Sequence, residues 1–264
     1  LTGSARGNTI AGFQGNDTIS GGAGDDRLSG DAGDDVLNGG VGADTLTGGK
    51  GNDIYVVDGD DTVFESSDGG TDGVQSDASY TLGANVENLI LTGTAVSGKG
   101  NASANVITGN AAANVIVAMG GDDSLYGGDA SDYLGGGAGD DVLNGGAGSD
   151  KLFGRSGSDV FVFDTSLSAT NRDKIGDFSV KDDTIQLDHA IFTMIAAGTL
   201  DAGALATNTS GNAADASDRI IYETDTGKLF YDPDGTGSAA KVQFALIDKD
   251  LALTHADFFI LASS

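Results

Sequence analysis

Aspartates recur in this chain at a spacing suited to holding hard cations. Asp17, Asp26, Asp35, Asp44 and Asp53 fall every nine residues, and Asp123, Asp132, Asp141, Asp150 and Asp159 repeat the pattern further on. An ionised carboxylate offers only acceptor oxygens. Rows of them repel one another unless a divalent ion with oxygen ligands lies between, and calcium is the natural candidate. Asp is also common in turns for local reasons. That reading does not explain why Asp holds one fixed place in the repeat.

The elements that position these residues are nonapeptides. From Gly12 to Val56 the chain reads GFQGNDTIS, GGAGDDRLS, GDAGDDVLN, GGVGADTLT, GGKGNDIYV, with a weaker copy, GSARGNTIA, at Gly3. Each is glycine-rich for five residues, with Asp sixth and an apolar residue eighth. A second array opens with GNASANVIT at Gly100 and GNAAANVIV at Gly109. It continues AMGGDDSLY, GGDASDYLG, GGAGDDVLN, GGAGSDKLF, GRSGSDVFV to Val162.

Apolar residues every nine positions (Ile10, Ile19, Leu28, Leu37, Leu46, Tyr55) match neither a helical nor a simple strand period. They predict a solenoid in which a six-residue turn alternates with a three-residue strand. Two units then make a coil of eighteen, and coils stack about 4.8 Å apart. Glycines at positions one, two and four permit positive φ. One buried apolar side chain per nine residues is too little to offset the entropy of fixing nine backbones, so a further stabilising agent is required. Residues eighteen apart share a side of the coil. The Asp pairs at that spacing are Asp17/Asp35, Asp35/Asp53, Asp26/Asp44, Asp123/Asp141, Asp141/Asp159 and Asp132/Asp150, six candidate calcium sites.

The pattern G-G-x-G-x-D-x-U-x, repeated in register over about half of the sequence, resembles the calcium-binding repeat of RTX (repeats-in-toxin) proteins. The resemblance implies an all-β fold, a parallel β-roll in two arrays joined by irregular β coils and closed by a C-terminal β-rich cap. It implies that each ion sits between neighbouring turns, held by two Asp carboxylates and by turn carbonyls. Those carbonyls would come from Gly22, Gly24, Gly33, Gly40, Gly42, Gly49 and Gly51, and from Gly121, Gly128, Gly137, Gly139, Gly146, Gly148 and Gly157. The chain departs from the pattern in places. Asn8, Asn105 and Asn114 stand where Asp is expected, and Ser103 and Ala112 replace the fourth glycine, which predicts coils with weak or no metal. Ala130 replaces the fourth glycine in the Asp132 turn and weakens the expectation for Asp132/Asp150.

The expected organisation is 1–56 first array, 57–99 connecting β coils, 100–163 second array and 164–264 capping and secretion-signal region. Tyr80–Gly93, YTLGANVENLILTG, looks like the connector between RTX arrays. DVFVF, DKIGDF and DDTIQLDHAIF resemble the segment that caps the last coil. Asp58, Asp60, Asp61 and Asp72, and separately Asp173, Asp177 and Asp183, are either further ion ligands or loop and turn acids. From Arg219 alternating strands are expected, with a hairpin at Asp225-Thr226-Gly227. Asp232-Pro233-Asp234-Gly235 lacks EF-hand spacing and reads as a turn. In HADFFILASS, an acid followed by bulky apolar residues resembles the uncleaved C-terminal signal of type I secretion substrates. A last β-strand is the plainer reading, and both can hold.

The chain of 264 residues has a formal charge of −27, with 44 Gly and no Cys. Such acidity excludes phosphate-directed nucleic-acid binding and electrostatic attraction to anionic membranes. Without calcium, charge and glycine together predict unfolded repeats. Lack of Cys suits export without disulfides. No apolar run reaches membrane-spanning length and no N-terminal signal peptide is visible. Leu1 opens within repeat-like sequence, as a fragment of a longer protein would. His189 and His255 sit in no HExxH motif, and no G-x-S-x-G elbow or Cys nucleophile exists, so no catalysis is expected from this chain. Fragments such as Gly22-Ala23-Gly24 are no dinucleotide fingerprint, since no helix pattern follows.

The expected function is a calcium-binding module that folds on binding Ca2+ after type I secretion. It would be extracellular or at the cell surface, with calcium and the secretion machinery as partners. The alternative is the C-terminal part of an exported enzyme of protease, lipase or alginate epimerase type, or of an adhesin or surface-layer protein. A polysaccharide or membrane ligand is not specified by the sequence.

Overall fold

A computed structural model describes residues 1–262; the last two residues of the expected secretion signal, Ser263 and Ser264, lie outside the described residues. The regular secondary structure is almost entirely β-strand, wound as a parallel β-roll, and the chain divides into two compact units, Leu1–Ser124 and Leu125 onward.

In the first unit the strands Thr9–Gln14, Thr18–Ala23, Arg27–Ala32, Val36–Val41 and Thr45–Lys50 alternate between two sheets. Each pairs in parallel with the strand eighteen residues on: Thr18 faces Val36 and Ile19 faces Leu37, while Arg27 faces Thr45 and Leu28 faces Leu46. The position-eight residues Ile19, Leu28, Leu37, Leu46 and Tyr55 are all buried and form the core between the sheets.

The expected division into a six-residue turn and a three-residue strand holds in the asparagine coils, where Ser97–Lys99 and Val106–Thr108 are three residues long and follow or precede six-residue turns. Among the aspartate turns of the first array it is corrected: strands are six residues long and the turns between them are three. Pairing continues past the apolar residue because position two takes positive φ. Gly22, at φ 104°, bends the strand yet stays opposite Gly40, and Ala23 stays opposite Val41.

After Val57 the coils vary in length but keep the same sheet. Ile54–Val57 pairs in parallel with Gly73–Ser76, that with Asn88–Leu91, and that with Val106–Thr108. Val74, Leu82, Val86, Leu89 and Ile107 are buried, so this stretch is solenoid rather than linker.

In the second unit Tyr133–Ala138 pairs in parallel with Lys151–Ser156, and Val142–Ala147 with Val160–Phe163. Asp173–Ile175 and Thr184–Asp188 then extend the two sheets. The end of one sheet is covered by Phe258–Leu261 and Gly198–Thr199. The other is covered by Val242–Leu246 and the antiparallel strands Lys228–Tyr231 and Ile220–Glu223, joined through the expected turn at Gly227, φ 80°. Bulky side chains suit this role: Phe192 packs edge-on against Phe244 and Tyr231 at centroid distances of 5.3 and 5.1 Å.

Candidate metal centre

The turn between strands brings the sixth-position carboxylate against the coil's own first glycine and toward the coil before it. Its Oδ1 accepts the backbone N–H of the Asp one coil earlier. Asp17 donates to Asp35 (2.7 Å), Asp26 to Asp44 (2.7 Å), Asp35 to Asp53 (2.8 Å), Asp132 to Asp150 (2.8 Å) and Asp141 to Asp159 (3.0 Å). Five of the six pairs expected from the eighteen-residue spacing are therefore stacked rungs. The sixth, Asp123/Asp141, has one member in each unit; within the first unit, Asp123 Oδ1 accepts the Asn105 N–H at 2.6 Å.

The second oxygen is the one with chemistry to spare. Oδ2 of Asp17, Asp26, Asp35, Asp44, Asp53 and Asp150 is buried with no hydrogen-bond partner. Buried polar atoms are rarely left so, and for an anion the cost is larger still. Oδ2 also explains the first glycine of most turns: a Cβ on Gly21, Gly30 or Gly127 would collide with Oδ2 of Asp26, Asp35 or Asp132, although Ala118 holds that position in the Asp123 turn.

Beside the carboxylates run two rows of carbonyls. A Cβ on Gly40 would sit inside contact distance of the Gly22 carbonyl oxygen, and one on Gly42 would sit 2.5 Å from that of Gly24. The same close stacking sets Gly33 on Gly15, Gly49 on Asp31 and Gly51 on Gly33, and in the second unit Gly146 on Gly128 and Gly157 on Gly139. Gly121 approaches Ser103 in this way, while Gly137 takes φ 128° and its carbonyl accepts from Ser156 Oγ at 3.3 Å. Ala130 adopts φ 71°, so its turn keeps the glycine conformation and presents its carbonyl to Gly148. The donor set is thus carboxylate and carbonyl oxygen only, the set preferred by calcium.

The ladder runs beyond the regular arrays. Asp44 N–H donates to Asp61 Oδ1, seventeen residues on (3.0 Å), and Asp53 to Asp72, nineteen on (2.7 Å). Asp150 donates to Asp173, twenty-three on, and Asp159 to Asp183, twenty-four on. Sequence spacing hid these partners because the intervening turns are longer or shorter. The surviving signal is Asp followed two residues later by a buried apolar residue: Val63, Val74, Ile175 and Ile185. Of the other candidate acids, Asp58 Oδ1 accepts the Asp60 N–H in a local turn, Asp60 is exposed, and Asp177 instead accepts the Gly154 and Arg155 N–H groups.

Burial governs the electrostatics of the ion-free ladder. It is the first cause raising Asp53, Asp61, Asp72, Asp123 and Asp159 from 3.8 to about 6, with neighbouring carboxylates adding to the shift. Asp44, Asp150, Asp173 and Asp183 are raised for the same first reason. A bound cation would reverse the logic of such sites.

The asparagine coils are built differently. Asn105 Oδ1 accepts the Asn101 N–H at 2.8 Å, and both side-chain amides donate to the Val86 carbonyl, Asn101 at 2.7 Å and Asn105 at 3.3 Å. Asn110 and Asn114 repeat this on the Ala95 carbonyl at 2.8 and 3.0 Å. The second-position asparagines were missed as partners in the sequence, although GN-x-x-x-N recurs at Gly100 and Gly109.

The remaining candidates do not join the ladder. Asp232 Oδ1 accepts the Asp234 and Gly235 N–H groups in a local turn. His189 meets the Ile195 carbonyl through Nδ1, and His255 is exposed in a short 3-10 turn. Among the described residues no helix is long and apolar enough to cross a membrane.

A family model of the RTX calcium-binding nonapeptide repeat (4 copies) matches residues 2–37, 21–55, 29–64, 99–134 and 126–161. No curated protein matches the chain. Among solved structures, the extracellular lipase LipA from Serratia marcescens matches at 18% identity and a TM-score of 0.23. The match covers 97% of this chain and 40% of the lipase chain. A superposition that loose carries no argument about activity.

Proposed function

The chain is an RTX protein with a calcium-binding β-roll, and from that premise we propose that it is a module that folds when calcium fills its rungs after secretion. The ligands we assign are the sixth-position carboxylates of both arrays and the carbonyls of the second and fourth turn positions. The observation that carries this reading is the row of buried Oδ2 atoms without partners, in a chain of formal charge −27. Two carboxylates per ion would exchange mutual repulsion for attraction to a shared cation. Binding free energy then becomes folding free energy.

The role follows from where calcium is plentiful. Sites of the affinity typical of extracellular modules, about 10⁻⁴–10⁻³ M, stay unfilled in a cell. The chain would therefore pass an export channel of the type I kind unfolded and fold outside, stabilising the secreted protein it belongs to. The role is structural rather than catalytic. Circular dichroism of residues 1–264 in chelator and in millimolar calcium tests it. The expected result is a β signal much reduced but not abolished in chelator and full in calcium, reversed on adding chelator back. Equal β content in both would overturn it.

A further inference from the structure

We propose that Asp53, Glu65 and Asp72 form a three-carboxylate calcium site at the end of the first array, filled before the two-carboxylate rungs. It rests on the reading of the arrays as calcium-binding but uses a residue outside the repeat. One carboxylate oxygen from each of the three lies within 4.8 Å of the others. That is the largest separation at which two oxygens can both lie about 2.4 Å from one ion. Asp53 is 1% exposed and Asp72 is fully buried, and Oδ2 of each has no partner. Their Oδ1 atoms are already taken, by the Asp35 and Asp53 N–H groups.

Glu65 is held toward this pair. Tyr55, the one aromatic among the core residues of the first array, donates its hydroxyl to Glu65 Oε2 and itself accepts the Gly48 N–H at 2.8 Å. Glu65 Oε1 accepts the Ser66 N–H at 2.7 Å, and its carbonyl accepts from Asn85 Nδ2 at 3.1 Å. Two glycines keep the space clear. A Cβ on Gly69 would lie 2.6 Å from Glu65 Oε1 and 3.0 Å from Asp72 Oδ2, and one on Gly48 would collide with both Asp53 Oδ2 and the Tyr55 hydroxyl. Affinity for calcium rises with the number of charged ligands and with site rigidity. This site exceeds a regular rung in charged ligands, and Tyr55 and the Ser66 N–H hold Glu65 in place, so its ion closes the segment Phe64–Asp72 onto the array.

Terbium titration of the full chain, excited through tyrosine and competed with calcium, tests the site, because Tyr55 touches Glu65. The expected result is a first, tight phase with bright emission. Glu65→Gln should abolish that phase while later binding and the calcium-dependent β signal persist. Tyr55→Phe should dim it and weaken it about tenfold, as loss of an orienting partner does. An unchanged first phase in Glu65→Gln would overturn the proposal. Should Glu65→Gln fail to regain β structure in calcium, unchanged emission and affinity in Tyr55→Phe would overturn it. A wild-type chain that neither binds terbium nor folds in calcium would sink the reading of the arrays as well.

Discussion

Within the first unit parallel coils are built with two chemistries. The turns of Gly12–Val56 place Asp at position six; the turns from Gly100 and Gly109 place Asn there. Both side chains accept a backbone N–H through Oδ1. They differ in where that N–H comes from, one coil earlier for Asp35 and the same turn for Asn105, and in the other terminal atom. An amide Nδ2 donates, and in Asn105 and Asn114 it takes the Val86 and Ala95 carbonyls. A carboxylate Oδ2 can only accept, and in Asp26, Asp35 and Asp44 it has nothing to accept from. One rung is complete within the chain; the other leaves a buried carboxylate oxygen that a cation would satisfy. The asparagine turns thus close on the chain's own groups, with Asn101 and Asn110 as added partners, where the aspartate turns do not.

Removing calcium should expose this difference most sharply. In chelator, hydrogen exchange should rise to near-unfolded rates at the Val36 and Ile54 amides, which donate to the Asp17 and Asp35 carbonyls. The Val106 and Val115 amides, bonded to the Glu87 and Val96 carbonyls, should stay protected at least ~10-fold longer. Uniform loss along the first unit would break the distinction.

Acidity should act in opposite senses with and without the ion. Asp53, Asp61 and Asp72 titrate at about 6 in the ion-free fold against an ordinary 3.8. A raised folded-state value means stability that is full below 3.8 and lost as pH rises through about 6. The metal-free chain should therefore melt higher near pH 4 than near pH 7. In calcium the ligands must be ionised, so the order reverses. Melting curves in chelator and in calcium at the two pH values check this, and the same trend in both would contradict it.

Exchanging the two residues sharpens the comparison at single sites. Asp35→Asn keeps the acceptor for the Asp17 N–H but removes a charge from two stacked pairs. It should stabilise the chain in chelator and weaken calcium binding. Asn105→Asp removes the donor to the Val86 carbonyl and adds a buried charge. It should cost about 1–3 kcal/mol in either condition, read as a shift in urea midpoint. Equal effects of both exchanges in chelator would refute the account.

How much of this is visible in the sequence depends on regularity. The nonapeptide period fixes the eighteen-residue register, so Ile19 opposite Leu37 and Asp17 beneath Asp35 follow from counting. Asp61, Asp72, Asp173 and Asp183 escape counting, because insertions and deletions fall in turns whose length the stack tolerates. Strand length was misread for a different reason. Glycine marks a turn in most chains, yet Gly22 and Gly40 are paired strand residues whose positive φ bends the strand without ending it. The Tyr55–Glu65 contact was invisible, since it joins a core position to a loop ten residues away. The hairpin at Gly227 was legible because its signal is local.

The smallest effect should come from the turn backbone itself. Gly24 and Ala130 hold the same fourth position, at φ 99° and 71°. Left-handed backbone costs a residue with a Cβ roughly 1–2 kcal/mol, partly offset in Ala130 by a less flexible unfolded chain. Ala130→Gly should therefore raise stability by no more than about 1 kcal/mol and leave the number of bound ions unchanged, because the Ala130 carbonyl already faces Gly148 as a glycine's would. Gly24→Ala should cost more than that, since its Cβ would also lie 2.8 Å from the Arg6 carbonyl carbon and the Gly7 nitrogen. Calcium-loaded melting curves of both variants give the comparison. If Ala130→Gly instead adds an ion, side-chain volume in the turn controls metal binding, and backbone conformation does not.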